Sequence, residues 1–163
     1  MKPEFRVSAR ISKPVGEVFD AVVDPNKLGA YFVTTGGGAS APLVEGSTVI
    51  WWGDVPVEVE KVVRDEKIVL RWDGGAVEDQ DYKTRVEMKF DRLDDGGTMV
   101  TIAEGGWQES QAGLQKSYLN CEGWTQMICC MKAWLEYGIN LREGYYPSET
   151  RGEPARENNN RGA

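Results

Sequence analysis

Residues 11–32 read ISKPVGEVFDAVVDPNKLGAYF, and their local pattern sets the frame for the rest of the chain. Ser12-Lys13-Pro14 supplies a cap candidate followed by proline at a first helical position, and Val15, Val18, Phe19 and Val22 then recur at helical spacing. Asp24-Pro25 repeats the signal, with Asp24 capping and Pro25 opening a second short helix that carries Leu28 and ends near Tyr31-Phe32. Upstream, Phe5, Val7, Ala9 and Ile11 alternate with Arg6, Ser8, Arg10 and Ser12, which is the signature of a half-buried strand. One strand followed by two short helices is therefore the expected opening.

Downstream the period changes. Thr34 to Ser40 is rich in Gly, Thr and Ser, and from there to residue 104 strand periodicity is broken by turn signals. Thr48–Trp52, the Val57, Val59 and Val62-Val63 run, and Ile68, Leu70 and Trp72 read as a meander of antiparallel strands. Thr84–Leu93 turns through Asp95-Gly96-Gly97 into Thr98–Glu104, forming the clearest hairpin. From about Asn120 to Arg142 the period becomes 3.6: Trp124, Met127, Ile128, Met131, Leu135 and Ile139 form one stripe, and Cys130, Trp134, Tyr137 and Leu141 a second row beside it. A long helix, apolar over two rows, is expected to pack on more than one surface. The tail from Pro147 to Ala163 has no Val, Ile, Leu, Met or aromatic residue and is expected to be disordered. The domain is then 1–146, with 147–163 as the tail.

Composition narrows the chemistry. The 163 residues carry 19 Lys plus Arg against 26 Asp plus Glu, a formal charge of −7 that disfavours nucleic acid and anionic membranes as partners. The absence of histidine removes Ser-His-Asp and Cys-His catalysis, His-ligated zinc and imidazole proton shuttles. No apolar run has the length of a signal-peptide core or of a membrane span, so a soluble, cytoplasmic protein without membrane insertion is expected. The three cysteines read as reduced core thiols. Gly36-Gly37-Gly38 lacks the lysine and flanking elements of a phosphate loop and reads as a turn, as does Asp94-Asp95-Gly96-Gly97. Neither a metal site nor a cofactor is expected.

The order of elements, together with the 11–32 motif, resembles the family named for the activator of the heat-shock-protein-90 ATPase, within the START-like or SRPBCC superfamily. The matching positions are Pro14, Val18, Phe19, Ala21, Asp24-Pro25, Leu28 and Tyr31-Phe32. Gly46 before the Trp51 strand, Trp72, Gly96-Gly97-Thr98 and Gly123-Trp124 match as well. The similarity spans about residues 5 to 142. It departs where the family commonly has tryptophan in place of Tyr31, and where Gly36-Gly37-Gly38-Ala39-Ser40 replaces a Gly-Gly-aromatic segment. The resemblance implies an α+β helix-grip fold, with a curved antiparallel sheet of about seven strands around the long helix, and many similar proteins are small stand-alone bacterial ones.

A sheet wrapped around one helix leaves a space that side chains fill only in part, and such a space is a ligand pocket. Trp51, Trp72, Met88, Ile102, Trp124, Met127 and Met131 are its candidate wall, although core packing is the plainer reading for each tryptophan and methionine. Glu104 falls in line with Val100 and Ile102. Either the strand has ended and Glu104 is solvated at the rim, or it faces the cavity as a hydrogen-bond partner or general acid. Arg71, Arg85 and Lys89 read as solvated, and Tyr82 and Tyr118 as residues of connections that can act as lids. The leading reading is a protein that binds a small, largely hydrophobic molecule, with no catalytic residue assigned. The alternatives are a cofactor-independent cyclase or hydrolase in the same cavity, and a chaperone-accessory module, which would show an exposed apolar patch around Tyr31-Phe32. A homodimer or a chaperone contact is compatible with the resemblance.

Overall fold

In the computed structural model, which describes residues 1–74 and 82–147, the elements run β1 (Glu4–Ile11), α1 (Val15–Val23), α2 (Pro25–Tyr31), β2 (Thr48–Trp51), β3 (Val55–Val63), β4 (Lys67–Asp73), β5 (Lys83–Arg92), β6 (Thr98–Gly105) and α3 (Gln111–Tyr137). The strands form one curved antiparallel sheet in the order β1-β6-β5-β4-β3-β2, so the chain's first strand closes one edge beside its last. Six strands are present among the described residues, not about seven. All but the β1–β6 pairing join sequence neighbours, and the tight connections at 52–54, 64–66 and 93–97 set three of the five pairings.

Alternation decides which face is core. Thr84, Val86, Met88 and Phe90 of β5 and Thr98, Val100, Ile102 and Glu104 of β6 are buried, and α1 and α3 cover this face, with α2 packed against both helices. The opposite face carries ion pairs. Arg71 and Arg85 reach Glu60 at 2.5 and 3.2 Å, and Lys83 pairs with Glu58. These are solvent-exposed pairs, each worth only about 0–1 kcal/mol.

The helix ends differ from the sequence expectation. Pro14, not Ser12, stands at the N-cap of α1, and no side chain caps it, whereas Asp24 accepts from the amides of Asn26 and Lys27 as expected. Helix α3 starts at Gln111, nine residues before Asn120, because the Ser110 hydroxyl accepts the Gly113 amide and supplies a cap. It stops at Tyr137, since Gly138 takes the left-handed conformation, φ 67°. Ile139 and Leu141 are therefore off the helical stripe and exposed. Burial pushes the Glu136 carboxyl up, but hydrogen bonds from Lys132 and from the hydroxyl and amide of Ser12 outweigh it and hold the group at about 2. That contact ties the last turn of α3 to the end of β1.

Of the three thiols only Cys130 is buried; Cys121 is half-buried and Cys129 exposed, so the expectation of three core cysteines holds for one. Cys129 and Cys130 are neighbours on a helix, which turns their side chains about 100° apart. The expectation for the tail falls, apart from Pro147, outside the described residues. No helix among the described residues is long and apolar enough to cross a membrane.

Candidate functional site

The site is organised by a carboxylate. Strand β6 continues one residue past Glu104, so Glu104 is not solvated at a rim; it is 2% exposed and directed to the core face. Four side chains converge on it. Trp72 Nε1 and the Thr84 hydroxyl donate to Oε1 at 2.8 and 2.6 Å, Trp124 Nε1 donates to Oε2 at 2.7 Å, and Asn120 Nδ2 reaches both oxygens at 3.0 and 3.2 Å. Among the described residues no ion pair reaches this group. Indole N–H groups only donate, so the cluster is complementary to an acceptor-only, ionised carboxylate.

Register explains why these residues meet. Trp72 pairs with Thr84 across β4 and β5, and Glu104 pairs with Val86, two residues along β5 from Thr84, so three side chains of one face converge from adjacent strands. Asn120 and Trp124 stand four residues apart on α3 and reach the carboxylate from the opposite side. A sheet carboxylate is thus sewn to the helix by neutral donors.

On the solvent side of this cluster lies a partly open pocket of about 180 Å³. Trp72, Trp124, Phe32 and Trp52 form its aromatic walls, with Leu119, Asn120, Gly123 and Gln126 from α3 and Arg142 and Tyr146 from the segment after it. Phe32 stacks on Trp124 at 5.7 Å and meets Trp52 edge-on at 5.2 Å, while Trp72 and Trp124 lie 5.3 Å apart. Arg142 places its guanidinium 5.7 Å from the Phe32 ring and 5.6 Å from the Tyr146 ring, and the Tyr146 hydroxyl donates to Gln126 Oε1 at 3.0 Å. A wider open groove of about 870 Å³ lies over the ion-paired face along residues 2–6 and 103–107. Its aromatic lining is the single pair Phe5 and Trp107, 5.7 Å apart, against the Phe32, Trp52, Trp72, Trp124 and Tyr146 rings of the smaller pocket, which is the better binding geometry.

Trp52 owes its place to backbone strain. It has φ 51°, unusual for a bulky residue, and its amide donates to the Gly38 carbonyl at 3.1 Å. A Cβ at Gly36 would lie 2.0 Å from the Trp52 carbonyl oxygen, and one at Gly53 would lie 2.6 Å from the Gly36 oxygen. The glycine tract is therefore a turn, and also the surface against which the Trp52 backbone is pressed. Gly36→Ala is expected to destabilise by about 2–4 kcal/mol, through a clash plus a left-handed φ of 62°. Urea denaturation reads the loss, and a change below about 0.5 kcal/mol would show that the loop relaxes freely.

Of the residues singled out from sequence, Trp72 and Trp124 line the pocket and Glu104 sits behind them. Trp51, Met88, Ile102, Met127 and Met131 lie in the filled core, all fully buried. Phe32, Trp52, Asn120, Gln126, Arg142 and Tyr146 were not singled out as ligand-binding residues. Asn120 had a signal in its four-residue spacing to Trp124, whereas Arg142 and Tyr146 arrive only because the chain reverses after Gly138. Tyr31 and Phe32 are 0% and 4% exposed, so that pair presents no surface patch. Burial pushes the Tyr31 hydroxyl well above the usual phenol range, and it donates to the Ala21 carbonyl at 3.0 Å. Tyr118 lies on α3 and is exposed.

Against known proteins, residues 12–136 match the family model described as activator of Hsp90 ATPase homolog 1-like protein. Among solved structures, protein SSP2350 from Staphylococcus saprophyticus is 24% identical with a TM-score of 0.69, over 85% of this chain and 96% of that one. The Aha1 dimer from Colwellia psychrerythraea is 16% identical at 0.68, over 84% and 98%. CalU16 from Micromonospora echinospora is 18% identical at 0.67, over 85% and 77%. At these identities the likeness is one of fold. No curated protein matches the chain significantly.

Proposed function

The chain belongs to the activator of Hsp90 ATPase homolog 1-like family, and from that premise we propose that it binds a small, largely apolar molecule in the pocket at the sheet–helix junction. The observation that carries this reading is the convergence of Phe32, Trp52, Trp72 and Trp124 on one partly open space beside a fully hydrogen-bonded carboxylate. Four aromatic walls offer apolar contact area, and the ring positions are fixed by hydrogen bonds, stacking and the Gly36 turn. At about 180 Å³ the space falls below the roughly 300 Å³ at which drug-sized pockets begin. A compact ligand, or one end of a longer one, fits it.

Binding is favoured over catalysis in the same cavity because Glu104, the acid that accepts from the lining residues Trp72, Asn120 and Trp124, has both oxygens engaged by donors. A second reading, contact with a chaperone or a second copy of the chain, draws on exposed Tyr137, Ile139, Leu141 and Tyr145 at the end of α3. Benzyl alcohol titrated into the folded protein tests the first reading. A saturable change in tryptophan emission is expected, with a Kd of about 0.1–1 mM for so small a probe, weakened at least about fivefold by Trp52→Leu. A linear, non-saturating response in the parent would mean that the pocket does not bind.

A further inference from the structure

We propose that this pocket selects an organic cation, a compact alkylammonium head on a short apolar body, over a neutral or anionic ligand of the same shape; the proposal rests on the binding-pocket reading above. Three features of the site lead to it, and each concerns charge.

The first is the pairing of both tryptophan walls with one anion. Trp72 and Trp124 each donate their indole N–H to Glu104, at 2.8 and 2.7 Å. A carboxylate accepting from an indole pushes electron density into the ring, and hydrogen bonds in a buried network polarise one another. The π face of an aromatic ring is already its negative pole, so the two indoles that line the pocket become better partners for a cation. With no ion pair reaching Glu104 among the described residues, its charge is shared out through neutral donors.

The second feature is that a cation already sits on two other rings of the pocket wall. The Arg142 guanidinium lies over Phe32 and over Tyr146 at the pocket, at 5.7 and 5.6 Å, and the residue is only 7% exposed. Among the described residues that line the pocket, Arg142 alone is charged. A soluble ammonium beside Trp124 would compete with it for the neighbouring Phe32 ring, which stacks on Trp124.

The third is the commitment of the lining amides. The Asn120 amide nitrogen is turned to Glu104, the Gln126 amide nitrogen to Glu122 at 3.4 Å, and the Gln126 oxygen accepts from Tyr146. An anion entering the pocket meets the field of the buried carboxylate and, Arg142 and the Trp52 indole N–H apart, side-chain donors already directed elsewhere. A trimethylammonium head needs no directional donor. It needs ring faces and a compact space, and both are present.

Three isosteric probes separate the possibilities: choline, 3,3-dimethylbutan-1-ol and 3,3-dimethylbutanoate, each titrated into the full chain with tryptophan emission and N-methyl or tert-butyl proton shifts as readouts. Choline is expected to bind at least tenfold more tightly than the alcohol, with its methyl resonance shifted upfield by the rings, and the carboxylate more weakly than either. Arg142→Gln is expected to tighten choline several-fold and to widen the choline-to-alcohol affinity ratio, which is the readout that a mere change of pocket shape would not move. Alcohol binding as tight as choline overturns the charge selectivity and leaves the apolar pocket standing. Preferential binding of the carboxylate, lost in Arg142→Gln, overturns it in favour of an anion site. Arg142→Gln that binds choline no more tightly overturns the competition with Arg142. If none of the three probes saturates and benzyl alcohol also fails, the pocket reading falls with it; if benzyl alcohol alone binds, only the cation proposal falls.

Discussion

Glutamine in place of Glu104 is expected to lower stability by about 2–4 kcal/mol, although it keeps the side chain's size and removes a buried charge. Two effects oppose each other. Burying a carboxylate without a cation is costly by several kcal/mol, so neutralising it alone would stabilise. The cost is offset in the native protein by the Trp72, Trp124, Asn120 and Thr84 donors. A glutamine accepts at one oxygen only. With its nitrogen in the Oε2 position it faces the Trp124 N–H, and in the Oε1 position it faces the Trp72 N–H; the Thr84 hydroxyl can rotate to accept, but an indole cannot. One buried N–H then opposes another, and hydrogen bonds to a charged group, worth about 1.5–3 kcal/mol each, are exchanged for fewer neutral ones. Urea denaturation with an unchanged m-value and a lowered midpoint is the expected result. An equal or raised midpoint would mean that the carboxylate is retained for the pocket's chemistry at the expense of stability.

The same cluster shows where sequence reading reached and where it stopped. The opening strand, the two helices led by Pro14 and Pro25, the late hairpin and the helix bearing Trp124 and Met131 all carry strong local signals, namely period, proline and Gly-Gly turns, and each is present. Parity also put Glu104 in line with Val100 and Ile102. A Glu-Gly-Gly sequence at 104–106 fits a solvated rim as well as a final buried position, so the local pattern alone allows both. What settles it is the arrival of four donors from β4, β5 and α3, a nonlocal fact that no window of sequence contains. The methionines illustrate the opposite limit. Met88, Met127 and Met131 have the spacing of a cavity wall and of a filled core alike, and they lie in the core. From sequence, Arg142 reads as the end of the long helix and Tyr146 as the last residue before the tail. One left-handed glycine, Gly138, redirects them to the pocket.

Trp124→Ala is expected to cost about 3–5 kcal/mol, the range for truncating a buried aromatic residue. The ring is 2% exposed and contacts Phe32 and Trp72, so its removal opens a cavity between α2, β4 and α3 that fixed backbones do not close. It also withdraws the donor that satisfies Glu104 Oε2 most closely, leaving Asn120 at 3.2 Å as that oxygen's remaining side-chain partner. Trp124→Phe separates these contributions. It keeps most of the ring and deletes the N–H, so a loss of about 1–3 kcal/mol is expected from the missing bond. The two variants also part in binding. Alanine removes a wall and should abolish the saturable benzyl alcohol signal even at temperatures where the protein stays folded. Phenylalanine keeps an aromatic face that is no longer polarised by the carboxylate. It should retain benzyl alcohol binding while narrowing the margin between choline and 3,3-dimethylbutan-1-ol. Equal losses for alanine and phenylalanine would place the whole contribution of Trp124 in its hydrogen bond to Glu104, and none in the ring that walls the pocket.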